Sequence, residues 1–134
     1  KYPLFVKPAF EGSSIGINQH ALVRDHAELV KQVQWDWETI HADILVEEYI
    51  EGKEYSVESI HNNGKTHVIQ ITEKITTEFP YNVELGHIQP ADLTENFQNV
   101  INSVIEDIAI ALKLDNCGSH TELKINSKKI ILST

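Results

Sequence analysis

The longest regular pattern of apolar positions runs from Phe97 to Leu112. Phe97, Val100, Ile101, Val104, Ile105, Ile108 and Leu112 recur at helical spacing behind Thr94, a residue suited to cap a helix. A second helix is predicted after Asp25, where Glu28 completes a capping-box pattern and Leu29, Val30, Val33 and Trp37 form the apolar face. Elsewhere the period shortens to two. Leu4-Phe5-Val6 and Ile44 to Tyr49 read as strands, and in Glu54 to Ile60 the residues Tyr55, Val57 and Ser59 alternate with Glu54, Ser56 and Glu58. Asn62-Asn63-Gly64 predicts a hairpin turn, because Asn-Gly accepts positive φ, and His67 to Thr72 is the returning strand. Glu73-Lys74 leads out of that strand into a polar stretch.

Three further segments complete the pattern. Ile15 and Ile17 suit a strand after the first one. Thr76 to Pro90 carries two prolines and Gly86 and reads as a long loop with a short strand near Tyr81 to Leu85. Thr121 to Ile125 and Lys129 to Leu132 form a last hairpin across Asn126-Ser127. Adjacent hairpins backed by a long helix predict an α+β class with antiparallel sheets and flanking helices.

Composition narrows the functional classes. The 134 residues suffice for one domain or two small lobes sharing a core. Hydrophobic residues at 41% and charged ones at 23% are ordinary for a soluble globular protein. No apolar run approaches the roughly 20 residues of a membrane span, and the start does not resemble a signal peptide. A net charge of −9 argues against a nucleic-acid surface. It also opposes nucleotide phosphates unless divalent cations sit between them and the carboxylates. The lone Cys117 rules out an internal disulfide and predicts a reducing, cytoplasmic setting; in the Asn116-Cys117-Gly118 turn it reads as structural. A chain that starts at Lys1, contains no Met and stops at Thr134 after an apolar run reads as a piece of a longer protein.

Two constellations could carry chemistry. Gly12-Ser13-Ser14-Ile15-Gly16 offers small side chains and backbone N–H groups, as a phosphate cradle or as a plain surface loop. It is not a P-loop, since no Lys-Ser or Lys-Thr follows the last glycine. Lys7 stands five residues upstream at the end of a strand, where its ammonium can act on the same phosphates as a point charge. Glu47, Glu48 and Glu54 surround a strand-turn-strand at Val46 to Glu54, either a solvated acidic edge or a purine slot.

Taken in order, the motifs resemble the ATP-grasp superfamily. Phe5-Val6-Lys7-Pro8-Ala9, then Glu11-Gly12-Ser13-Ser14-Ile15-Gly16-Ile17, then Leu45-Val46-Glu47-Glu48-Tyr49-Ile50 with Gly52 and Glu54 carry the likeness. The Gly-Ser-Ser-Ile-Gly form is similar to D-alanine–D-alanine ligases. Ile71-Thr72-Glu73-Lys74, Val83-Glu84-Leu85-Gly86-His87 with Pro90, and His120-Thr121-Glu122-Leu123-Lys124 are more similar to L-amino-acid ligases and related carboxylate–amine ligases.

The resemblance implies an ATP-grasp core lacking its N-terminal domain, with a small lid subdomain over 1–50 and a larger subdomain over 51–134. It implies ATP with Mg²⁺ or Mn²⁺, and small carboxylate and amine substrates joined through an acyl phosphate. It assigns Lys7 to the ATP phosphates and Gly12, Ser13, Ser14 and Gly16 to a lid over them. Glu47, Glu48 and Ile50 would line the adenine, the last two through backbone groups, and Glu54 would hold the ribose. Glu122 matches the first of two acidic metal ligands, and Glu84 with His87 matches a pair facing an amino-acid substrate, His87 near the reacting group. The residues alone give Glu84 and His87 no more than an exposed place in a loop.

The family's last strand carries a second acid and an Asn, followed by an Arg, whereas Leu132 falls near the expected acid here. Either that motif is degenerate or the rest of the site lies beyond Thr134. Alternatives remain a D-alanine–D-alanine ligase, a carbamoyl-phosphate-type or biotin-carboxylase-type enzyme, and a nucleotide-binding module without catalysis. A homodimer is compatible with all of them.

Overall fold

The computed structural model describes residues 1–9, 17–77, 84–126 and 130–132. Its contacts divide into two compact units, Lys1–Ile50 with Thr76–Glu84, and Glu51–Ile75 with Leu85–Thr134.

The first unit contains β1 (Leu4–Pro8), β2 (Leu22–Val23), α1 (His26–Ile40) and β3 (Ile44–Glu48), with an antiparallel sheet in the order β2-β1-β3. Val6, Ala21 and Val23 are its buried apolar residues. Among the described residues the second strand lies at Leu22–Val23; Ile17 is outside any strand, and Ile15 of the expected strand lies outside the described residues. Asp25 caps α1, its Oδ1 accepting from Glu28 N–H at 2.9 Å, while the Glu28 carboxylate accepts from Arg24 N–H at 2.7 Å.

The buried face of α1 differs from the expected one. Gln32 and Asp36 are buried, whereas Val30 is 51% and Trp37 61% exposed. Apolar residues occur on more than one side of this helix, so spacing alone does not fix which side turns inward. Gln32 Nε2–H donates to Asp36 Oδ1 at 3.0 Å, and this i, i+4 bond lets two polar side chains stay inside.

The second unit is built on a five-stranded sheet in the order β6-β5-β4-β7-β8. The strands are β4 (Lys53–Asn62), β5 (Lys65–Thr76), β6 (Glu84–Ile88), β7 (Cys117–Ile125) and β8 (Ile130–Leu132), with α2 (Glu95–Leu112) between β6 and β7 in the chain. Asn63 and Gly64 both have positive φ, 52° and 68°, which gives the β4–β5 turn the right-handed twist of the strands it joins. β5 continues through Glu73 and Lys74 to Thr76, so the expected exit after Thr72 is still strand. β6 overlaps the expected short strand at Glu84 and Leu85 and runs on to Ile88, where a loop was expected; residues 81–83 of the expected strand lie outside the described residues.

Tyr55, Val57, Leu123 and Ile125 from the sheet bury with Ala91, Ile101 and Ile105 into one core. Of the predicted α2 face, Ile101 and Ile105 are buried and Phe97 and Ile108 pack against the core, but Val100 and Leu112 are exposed and Ala109 takes a buried place. The register passes from Glu58↔Gln70 to Ser59↔Val68, so Ile69 is an extra residue in β5. That bulge lets Ile71 and Val68, three positions apart, both reach the core. Gly52 is required where the chain enters β4, since a Cβ there would sit 2.7 Å from the Ile125 carbonyl oxygen. Among the described residues no helix is long and apolar enough to cross a membrane.

Candidate functional site

In the first unit, alternation along β1 sets Phe5 and Lys7 on the face opposite Val6. Phe5 pairs with Glu47 and Lys7 with Leu45, so Lys7 and Glu47 are diagonal neighbours on that face. Their side chains form an ion pair, Nζ to Oε1 3.0 Å, with Lys7 largely buried. Glu48, one position on, points to the other face and is exposed, and Ile50 is half-buried. Gly12, Ser13, Ser14 and Gly16 lie outside the described residues.

In the second unit the core uses the odd-numbered residues of β4 and β7 and leaves the even ones on the opposite face. Glu54, Ser56 and Glu58 of β4 stand directly across from Lys124, Glu122 and His120 of β7. On the other side Glu54 pairs with Lys74 and Ser56 with Thr72 of β5. Charges of both signs interlock on this face. Lys124 Nζ lies 3.1 Å from Glu54 Oε1. Lys74 pairs with Glu122. His120 Nδ1 is 3.0 Å from Glu58 Oε1, and its Nε2 is 3.7 Å from Glu122. Ser56 Oγ–H donates to Glu58 Oε1 at 3.1 Å, while the buried Glu58 Oε2 makes no hydrogen bond. Burial alone, the largest influence, would raise the Glu122 carboxyl. Lys74, through its hydrogen bond and charge, and then His120 outweigh it and hold that carboxyl below the usual range.

Glu84 and His87 are both exposed on β6, an edge strand. A strand sends residues three apart to opposite faces, so the two do not project side by side. On β8, Leu132 pairs with Leu123 on the core side, and Ile131 pairs with Lys124. The residue of β8 on the charged face is thus Ile131, not Leu132, and it too is apolar.

Several residues of this face were not singled out from sequence. Lys74, Lys124, Ser56, Glu58 and His120 join Glu54 and Glu122 only once the register is known. Period-two alternation in β4 was the available signal, and its extension to β5 and β7 needed the pairing.

A divalent cation with a nucleotide fits the donors present. Among the described residues no group of three or more His, Cys, Asp or Glu side chains is arranged to hold a metal. Mg²⁺ is commonly bound through one or two carboxylates, with substrate phosphates and water completing the shell, and Glu122 offers one such carboxylate beside lysines suited to phosphate.

Comparison with known proteins defines the class. The ATP-grasp domain family matches residues 1–133, and the chain belongs to that family. A D-alanine–D-alanine ligase of Neisseria gonorrhoeae is 31% identical over 134 residues, covering 97% of this chain and 43% of that protein. An L-amino acid ligase from Bacillus licheniformis superposes with a TM-score of 0.76 at 27% identity, covering 98% of this chain and 30% of that one. A biotin carboxylase from Campylobacter jejuni has a TM-score of 0.77 at 16% identity, with 98% and 30% coverage, a likeness of fold. The chain spans less than half the length of these relatives.

Proposed function

We propose that this chain is the ATP-binding core of an ATP-dependent carboxylate–amine ligase that forms an amide or peptide bond through an acyl phosphate, with amino acids as substrates. The observation that carries the reading is the charged face of β4, β5 and β7, where Glu54 and Glu122 stand among lysines on a rigid sheet whose other face is core. The names of two relatives, a D-alanine–D-alanine ligase and an L-amino acid ligase, support the chemistry.

ATP bound with Mg²⁺ or Mn²⁺ would supply the phosphoryl group and the charge neutralisation. The chain's own residues bind and orient. Lys7 directs its ammonium to the phosphates, and the Gly12 to Gly16 segment, with Ser13 and Ser14, covers them and excludes water that would hydrolyse an acyl phosphate. Glu47, Glu48 and Ile50 line the adenine, Glu54 holds the ribose, and Glu122 is the metal carboxylate. Glu84 and His87 of β6 meet the amino acid, Glu84 on its ammonium and His87 near its carboxylate. No protein nucleophile is needed, because such transfers rest on positioning and charge.

One observation favours a second reading. Ile131 on the charged face gives β8 no carboxylate there, which suits a nucleotide-binding module without turnover. A panel of L- and D-amino acids, scored by phosphate release from ATP in the full-length protein, separates the two. Amino-acid-stimulated release that Glu122→Ala abolishes and Lys7→Ala weakens supports the ligase. Release stimulated only by other carboxylates, or none with any substrate, overturns it.

A further inference from the structure

Glu54 is the second residue of β4, and the end of a strand is where a ladder frays first. A carboxylate that reads ribose hydroxyls must nonetheless hold one direction, because hydrogen bonds weaken steeply with misalignment. On its own face Glu54 is met by Lys124, 3.1 Å away, and that contact fixes the head of the side chain rather than the backbone beneath it. The backbone is held from the opposite face.

Lys53 and Tyr55 flank Glu54 in the chain and therefore project to the core side of the sheet. Both reach one carboxylate, that of Glu73. Glu73 stands directly opposite Tyr55 on β5, and its side chain is only 13% exposed. Lys53 Nζ–H donates to its Oε1 at 2.5 Å, and Tyr55 Oη–H donates to its Oε2 at a longer 3.4 Å. The Tyr55 ring is already fixed in the core, whereas the Lys53 side chain is 68% exposed. Glu73 is thus the anchor of the residue that precedes Glu54. Just upstream, Asn126 Nδ2–H donates to the Glu51 carbonyl at 3.0 Å, and Gly52 lies against the Ile125 carbonyl. The three residues before Glu54 are therefore each held to β5 or to the end of β7.

We propose that Glu73 is a positioning residue for Glu54: by tying Lys53 and Tyr55 on the core side, it fixes the direction in which the Glu54 carboxylate leaves the strand. It thereby sets how strongly the site prefers a nucleotide whose ribose carries both hydroxyls. This rests on the reading of Glu54 as the ribose carboxylate. Glu73 projects from the face opposite Glu54, so it acts through Glu54 without touching the nucleotide.

Calorimetric titrations of the full-length protein with the Mg²⁺ complexes of ATP, 2′-deoxy-ATP and 3′-deoxy-ATP, without an acceptor substrate, test this by binding alone. Wild type is expected to bind ATP about tenfold more tightly than at least one deoxy-nucleotide, the scale of a charge-assisted hydrogen bond. Glu73→Ala is expected to reduce that preference to about twofold, the mark of a misaligned bond, with affinity for the deoxy-nucleotide little changed. A loss of stability alone would lower all three affinities together and leave their ratio as it was. Glu73→Gln keeps an acceptor for Lys53 and should fall between wild type and the alanine variant. If Glu73→Ala melts early, Lys53→Gln loosens the same tie from an exposed position and should lower the preference in the same direction. A preference unchanged in both Glu73→Ala and Lys53→Gln overturns the proposal. Glu54→Gln separates the two levels: if it leaves the preference intact, the ribose reading itself fails, and the Glu73 proposal with it. If it abolishes the preference while Glu73→Ala and Lys53→Gln keep it, only the Glu73 proposal falls.

Discussion

The two faces of the five-stranded sheet are made from the same strands and share nothing in chemistry. On one side Tyr55, Val57, Leu123 and Ile125 close against Ile101 and Ile105 of α2. On the other, Glu54, Ser56 and Glu58 face Lys124, Glu122 and His120. Neighbours in sequence such as Glu122 and Leu123 thus belong to different tasks. The apolar side can fix backbone positions to within a fraction of an ångström because its packing tolerates no voids. The charged side inherits that precision, and if it serves binding its half-buried ion pairs should add little stability of their own. A sheet with one face in the core is a rigid board on which charges can be held at fixed spacing.

The largest expected effect comes from breaking the apolar face. Leu123 is fully buried, so Leu123→Ala should lower unfolding free energy by about 2–5 kcal/mol in denaturant titrations. Metal affinity should fall only in step with the unfolded fraction. A variant that stays fully folded but loses metal affinity would show that the faces are not separable.

Gly52→Ala probes the same board through its backbone. The new methyl would meet the Ile125 carbonyl oxygen at 2.7 Å and the carbonyl carbon at 2.9 Å, and neither can rotate away. The expected loss is about 1–3 kcal/mol, read as a lower denaturation midpoint. A midpoint equal to wild type would mean that the Glu51 to Lys53 turn shifts freely against β7.

The helices show how much of this was legible in advance. In α2 most apolar positions fall on or beside one stripe, so spacing alone placed Ile101 and Ile105 inward, while the flanking Val100 and Leu112, and Ile110 on the far side, are exposed. In α1 Val30, Trp35 and Trp37 are exposed while Gln32 and Asp36 are buried. A buried polar pair joined by one hydrogen bond, with tryptophans outside, cannot be read from hydrophobicity. The hairpin at Asn63-Gly64 was legible because positive φ has few sequence solutions. The bulge at Ile69 and the crossing of Lys74 to Glu122 were not, because register is a property of pairs of strands rather than of either one. Motifs named Lys7, Glu54 and Glu122; only pairing showed which charges stand beside them.

Asp36 offers a smaller test that sets the buried polar helix against the charged sheet. Its carboxyl is buried, one oxygen bonded to Gln32 and the other without a partner, and burial pushes its pKa above 3.8. The folded state therefore holds the proton more tightly than the unfolded chain does. The stability linked to this group is fully present below pH 3.8 and is lost as pH rises through the raised folded-state pKa. Asp36→Asn removes the titration and keeps an acceptor for Gln32. It should melt above wild type at pH 7 and close to it at pH 3. Equal melting at both pH values would show that the buried carboxylate is solvated on ionisation.

The smallest expected effect tests the claim about the charged face itself. Glu54 and Lys124 stand directly opposite each other on β4 and β7, their charged atoms 3.1 Å apart and both half-buried. A double-mutant cycle with Glu54→Gln and Lys124→Gln isolates their coupling from the other contacts each makes. If this face serves binding and not folding, the coupling should be about 0.2–1 kcal/mol, the range of cross-strand charge pairs. It should also shrink on raising salt, because both side chains remain in reach of counter-ions. A coupling above about 2 kcal/mol that ignores salt would place the pair among buried bridges whose loss strands a charge. The charged face would then share the work of holding the sheet, and the division between the two faces would have to be redrawn strand by strand.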